Sequence, residues 1–292
     1  MEQKNGLTLV GLIVTIVIVL FIVAIIMPPL GVERPIAKRV ICGTNLKGLG
    51  NAISVYSDDY DGNYPQLPGM GPWSKELGFA FDMEKPDFSE TGQQGQAGRT
   101  ISASWYLLVR EADVSPKSLI CPASGQQEFD GKNPKILDIV DLWDFGANPY
   151  PHVSYAMHNP YGKFPAKGDR SASFAIASDM SPWIVNGDFI PPGPKKTPPQ
   201  IITFSDKATW KLGNSINHRR ESPVGEGQNV LFADGHSVYA TQPNVGTNND
   251  NIYTYWSTEK EPSKQDIQGG TAPTERTADN DAKSTEDSFL AL

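Results

Sequence analysis

LTLVGLIVTIVIVLFIVAIIM, residues 7 to 27, is an unbroken apolar run that follows the short polar segment MEQKNG. As a helix rising ~1.5 Å per residue it reaches roughly 30 Å, the depth of a bilayer's hydrocarbon core, and the first charge beyond it is Glu33. A secretory signal has a shorter apolar core of ~7–15 residues and a small-residue cleavage site, whereas this run ends in Met27-Pro28-Pro29-Leu30. The expectation is a retained transmembrane helix over residues 7–30. Lys4 before the run and Lys38 and Arg39 well after it give little signal for orientation.

Immediately downstream, Cys42, Leu46, Leu49, Ile53 and Tyr56 recur at spacings of four, three, four and three, which places them on one face of a helix over 34–57. Gly43, Gly48 and Gly50 each weaken that helix by up to ~1 kcal/mol against Ala, so packing has to hold it. Ser57-Asp58-Asp59-Tyr60-Asp61-Gly62-Asn63-Tyr64-Pro65 is a terminating turn cluster. Its carboxylates Asp58, Asp59 and Asp61 are candidate oxygen ligands for Ca²⁺, although their spacing does not fit an EF-hand loop, and a solvated turn explains them equally.

The 24 prolines and 27 glycines favour short strands, turns and long loops. A formal net charge of −8 gives no electrostatic support to nucleic-acid binding. Val230–Ala233 and His236–Tyr239 are β-rich runs flanking Asp234-Gly235, the signature of a two-residue hairpin turn that sets Leu231 opposite Val238 and Phe232 opposite Ser237. Residues 173–179 and 200–204 read as further strands, 104–109 as a short helix or strand, and His152 and His158 as loop residues. Segments 86–100 and the Pro-rich 188–199 read as loops.

MEQKNG followed by Leu7-Thr8-Leu9-Val10 resembles the start of a type IV prepilin or type II secretion pseudopilin. The resemblance implies cleavage after Gly6 by a prepilin peptidase, methylation of Leu7, and lateral packing against other pilin-like subunits. Pro28, the twenty-second residue from Leu7, falls where pilin helices carry a kinking proline. The fifth residue from Leu7 is Gly11, where pilins hold a glutamate. A second resemblance is carried by Cys42, Asn45, Leu46, Lys47, Asp59, Tyr60, Asp61, Gly62 and Pro65, by Cys121-Pro122, and by His218, Asp234 and Gly235. These residues are similar to a prepilin-like family, abundant in planctomycetes, that ends in a His-X9-Asp-Gly motif. Here fifteen residues separate His218 from Asp234, with Arg219–Gly225 as an inserted loop.

The two cysteines, Cys42 and Cys121, permit one disulfide in an exported domain, and two buried free thiols are the alternative. The resemblance at Cys121-Pro122 adds weight to the pairing. A metal or catalytic cluster from His218, Asp234 and His236, with Asp179, is a further candidate, unsupported by any HExxH or GxSxG pattern. From Thr258 the chain holds eight acidic and four basic residues with no apolar side chain larger than Ala except Ile267 before Phe289, so disorder is expected.

Together these readings give an α+β, pilin-like fold: a leader over 1–6, the transmembrane helix, a head domain over 31–257 with a long helix packed on an antiparallel sheet, and a disordered tail over 258–292. The expected role is non-enzymatic and cofactor-free, that of a single-pass protein of the inner (cytoplasmic) membrane with its C-terminal domain exported to the periplasm or cell exterior. It would belong to a type II secretion or pilus-like assembly. The alternatives are an exported binding module presenting Trp73, Trp105, Trp143, Trp183, Trp210 and Trp256 to a carbohydrate or protein, and a metal-dependent hydrolase.

Overall fold

The computed structural model describes residues 8–26, 30–68, 72–84, 86, 88, 98–191, 193, 202–219 and 224–292. Gly6 and Leu7 lie outside these residues, as do Pro28 and much of 86–100 and 188–199. The chain divides into two units, Met1–Lys38 and Arg39–Leu292.

In the first unit, α1 (Leu9–Ile26) starts where Thr8 Oγ1 accepts the Gly11 N–H at 3.2 Å, one of the four N–H groups a helix start leaves unpaired. Its large apolar side chains are exposed from Leu9 to Val23. The expected membrane span is corrected here: among the described residues no helix is long and apolar enough to cross a membrane. The 18 residues of α1 rise about 27 Å, against a core of ~30 Å that takes ~20 apolar residues. The 30-residue α2 (Leu30–Asp59) is long enough but carries Glu33, Arg34, Lys38, Arg39 and Lys47. A single-pass inner-membrane location is therefore not supported.

The second unit is α+β with an antiparallel sheet. Five strands, β1 (Tyr155–His158), β2 (Ala175–Asp179), β5 (Gln228–Phe232), β6 (Ser237–Ala240) and β7 (Leu290–Ala291), align in the order β6-β5-β2-β1-β7, and β3 (Ile184–Val185) and β4 (Asp188–Phe189) form a separate pair. The stripe read from the sequence is the buried face of α2: Cys42, Leu46, Leu49, Ile53 and Tyr56 all lie in the core. Two glycines set how closely α2 meets β5. A Cβ at Gly50 would sit 2.8 Å from Leu231 Cδ1, and one at Gly43 would sit 3.0 Å from Asn229 Oδ1. Gly48 faces open space. Gly50→Val is accordingly expected to lower stability by about 1–3 kcal/mol through overpacking, while Gly48→Ala raises it by up to ~1 kcal/mol through helix propensity. Urea unfolding of the two variants checks this, and equal signs would refute the close approach.

α3 (Ile101–Glu111) is capped by Thr100, whose side chain accepts the Ala103 N–H, and packs its apolar face into the same core. The hairpin differs from the expected register by one residue: Leu231 faces Ser237 and Val230 faces Val238. Phe232 accepts from Gly235 N at 2.9 Å and donates to His236 O at 3.0 Å, so three residues turn the chain, with Gly235 at φ +82° as the left-handed residue such a loop needs. His158, expected in a loop, ends β1, and the described part of 200–204 is not a strand.

The tail is a second correction. Residues 258–292 are ordered: Ser263 and Asp266 cap α4 (Lys264–Gln268) reciprocally, and β7 closes the β1 edge of the sheet. Composition misled because a few groups hold the segment. Phe289, Leu290 and Leu292 are buried, Asp287 accepts from the N–H groups of Trp256 (2.9 Å) and Lys283 (2.7 Å), and His158 Nδ1 accepts from Phe289 N at 3.2 Å. The tryptophans offered for ligand binding are also mostly interior: Trp73, Trp105, Trp183, Trp210 and Trp256 are buried and Trp143 is half-buried beneath Arg110.

Candidate functional site

Four chemically active side chains meet at the seam between α2 and the sheet. Cys42, Cys121, Asp179 and His218 bring their Sγ, Sγ, carboxylate and ring-nitrogen atoms within 4.8 Å of one another, and all four residues are buried. Both cysteines are free thiols.

Each arrives on its own piece of backbone. Cys42 lies on the buried face of α2, where Asn45, one turn on, donates to the Ile120 carbonyl (3.1 Å) and to the Tyr155 hydroxyl (3.3 Å). Asn45 thereby ties the helix to the residue before Cys121. Cys121 follows the short 3₁₀ turn Pro116–Leu119, and the chain folds back so that the Ala123 N–H donates to Cys121 Sγ at 3.4 Å. Asp179 closes β2, just past the one-residue register shift between Ala175 and Ala177 in the β2–β5 ladder. Its Oδ2 accepts from Asn229 N (2.7 Å) and Nδ2 (3.2 Å) on β5, and its Oδ1 from Asn217 Nδ2 (3.3 Å). His218 lies on the connection into β5, held by Ser215 N donating to Gln228 Oε1 (3.1 Å) and Asn217 Nδ2 donating to Ser154 O (2.8 Å). Tyr239 packs edge-on against its ring at 5.8 Å, beneath the Arg39 guanidinium, which pairs with Glu226.

The electrostatics follow from this crowding. Cys42 is lowered to about 6 by its hydrogen bond with Cys121 and, against the cost of burial, by His218. Cys121 is pushed up by the same shared bond and by burial, so one thiol ionises at the other's expense. Burial opposes the charged form of His218, but hydrogen bonds to Asp179 and Cys42 outweigh it and raise the ring to about 9.

Cys121 and Asp179 are not placed as the nucleophile and acid of a nucleophile–histidine–acid relay. In such a relay the nucleophile and the carboxylate take opposite ring nitrogens. Here Asp179 Oδ2 (3.1 Å), Cys121 Sγ (3.7 Å) and Asn229 Nδ2 (3.3 Å) all face His218 Nε2.

Of the sequence candidates, His218, Asp179, Cys42 and Cys121 are brought together, whereas Asp234 and His236 are not among them. Asp234 accepts from His236 N (3.0 Å) and pairs with its ring at the exposed hairpin tip. Gly235 serves the turn alone. Asp58, Asp59 and Asp61 are exposed at the end of α2, where the chain turns through Asp61 (φ 52°) and Gly62 (φ 78°) and Gly62 N donates to Ser57 O at 2.8 Å. Among the described residues they belong to no group able to hold a metal ion. Leu46 is core, and Tyr60 stacks on Tyr56 at 4.1 Å. Asn229 and Asn217, which orient Asp179, were missed; the Asn217-His218 dipeptide beside a β-rich run was the only signal for them.

No family model matches the chain, and neither a curated protein nor a solved structure matches it.

Proposed function

We propose that this chain is a pilin-like assembly subunit with a structural role. It joins other copies or other pilin-like subunits through α1, while the α+β unit presents a surface outward. The observation that carries the reading is the exposure of α1 on every side: Leu9 is 75% exposed, Leu20 62% and Phe21 67%. Apolar helical surface of that extent is unfavourable in water at roughly 25 cal/mol per Å² and calls for a cover. The same helix of a neighbouring subunit supplies one, by close van der Waals packing of one apolar helix along another. The resemblance of residues 1–11 to prepilins supports the same role, with a prepilin peptidase as processing partner acting between Gly6 and Leu7.

Disulfide trapping tests the assembly. Ile16→Cys is exposed on α1, Val238→Cys is exposed on β6, and both native thiols are buried. On mild oxidation of the full chain the Ile16→Cys variant is expected to yield covalent dimers while Val238→Cys stays monomeric. Equal, low yields from the two would refute packing through α1. Intact mass and N-terminal sequence of the native protein test processing separately, a start at Leu7 being the expected result.

A further inference from the structure

The buried Cys42–Cys121–Asp179–His218 group serves no purpose in that assembly role, and its geometry points to a ligand of its own. We infer that these four side chains form a closed, tetrahedral site for a divalent zinc-class ion that staples α2 to the sheet.

The donor set is the first argument. Two thiols, one imidazole and one carboxylate are the ligand types that zinc takes, and soft sulfur donors select against Mg²⁺ and Ca²⁺. Geometry is the second. Zinc bonds of ~2.0–2.3 Å set tetrahedral edges of roughly 3.3–3.8 Å. His218 Nε2 stands 3.1 Å from Asp179 Oδ2 and 3.7 Å from Cys121 Sγ, and no pair of ligand atoms exceeds 4.8 Å.

The polar groups also converge on a single atom. One ring nitrogen carries at most one proton or one lone pair, yet three polar atoms crowd His218 Nε2. A cation at the centre of the group gives the nitrogen, both sulfurs and the carboxylate one partner at once. Supporting bonds of the kind that orient ligands are already in place. Ala123 N–H donates to Cys121 Sγ, and Asn217 and Asn229 hold the carboxylate of Asp179. Because all four positions are filled by buried protein groups, the site is structural, with no open position for water or substrate. On binding, the group gives up to solvent the protons that its thiols and ring hold, so that Cys42 and Cys121 ligate as thiolates and His218 as neutral imidazole. A cleft of about 560 Å³ lies beside the group, lined in part by Met180, Asn217 and Arg219, the immediate neighbours of Asp179 and His218, and by Ala123, two residues past Cys121.

The test is metal analysis of the full chain purified without chelators, followed by stripping with EDTA under thiol reductant and titration with Co²⁺. The expected result is one zinc per chain as isolated, a fall in melting temperature on stripping that added Zn²⁺ reverses, and a thiolate-to-cobalt charge-transfer band with the strong visible bands of tetrahedral Co²⁺. Cys121→Ser is expected to lower the charge-transfer band by about half, leaving one thiolate. Asp179→Asn keeps the band and shifts the visible ones. If the variants fail to fold, the stripped wild type still decides the matter. A Co²⁺ titration without a thiolate band overturns the proposal. So does a native chain two hydrogens lighter than its sequence with no titratable thiol, which would mean a Cys42–Cys121 disulfide. Neither outcome bears on cross-linking through α1, so the two readings fail independently.

Discussion

Phe289→Ala is expected to destabilise the second unit by about 3–5 kcal/mol, a large share of the ~5–15 kcal/mol by which domains usually hold together. Phe289 is fully buried and meets Tyr255 edge-on at 5.7 Å. Its backbone is fastened on both sides, through N–H to His158 Nδ1 (3.2 Å) and through its carbonyl from Asn159 N (3.0 Å). Truncation therefore leaves a cavity in a place the backbone cannot collapse to fill, the situation in which large-to-small changes cost most. Urea unfolding reads the loss, and hydrogen exchange at the Asn159 amide reads its location. A change below ~1 kcal/mol with Asn159 exchange unaltered would mean that the segment from Thr258 is undocked, as its polar composition suggests.

Asp144→Asn is expected to abolish a pH dependence worth up to ~4 kcal/mol. Asp144 is fully buried beside the start of α3, where it accepts from Thr100 Oγ1 (2.6 Å), Ser102 Oγ (2.9 Å) and Phe145 N (2.9 Å). Burial raises its carboxyl from 3.8 to about 7 in spite of those three donors. A folded-state value above the unfolded one means that the native protein holds this proton more tightly, so the group's effect on stability is most favourable below about pH 4. Stability is then lost as the pH rises toward 7 and levels off above it, at about 1.4 kcal/mol per pH unit where the slope is full. Asp281 and Asp287, raised by burial to about 6 and about 7, act in the same direction. His158, lowered to about 4 by burial, acts against them as the pH falls through 6.5 toward 4. Comparing urea unfolding of wild type and Asp144→Asn at pH 4.5 and 8 cancels these shared contributions. Parallel pH curves for the two proteins would show that Asp144 does not carry the charge cost.

What could be read from the chain alone was what repeats locally. The four-three spacing from Cys42 to Tyr56 is a property of one helix, and the buried face of α2 follows it. The hairpin was visible for the same reason, but its register depended on whether Gly235 formed the second residue of a two-residue turn or the last of a three-residue loop, a choice that Asp-Gly alone does not make. The site was legible only in pieces. Cys42, Cys121, Asp179 and His218 each stood out, yet they lie on four separate stretches and meet through strand order. Asp234 and His236, grouped with His218 and Asp179 in the sequence, instead satisfy each other at the hairpin tip because they are only two residues apart. The tail failed for a related reason: average polarity is blind to a few side chains that dock into places prepared far upstream.

The edge position of β7 also has a temporal consequence. Met157 pairs with Ala291 and His158 with Leu290, while the strand on the other side of β1, β2, lies only some twenty residues away in the chain. During synthesis β1 and β2 can zip together early, but the outer edge of β1 must wait for more than a hundred further residues to leave the ribosome. Sheets closed by such distant partners form slowly, and an open edge meanwhile invites pairing with a neighbouring nascent chain. For this protein the yield of soluble material should therefore depend on how fast translation runs between residues 158 and 290, with slow codons in that interval lengthening the exposed period.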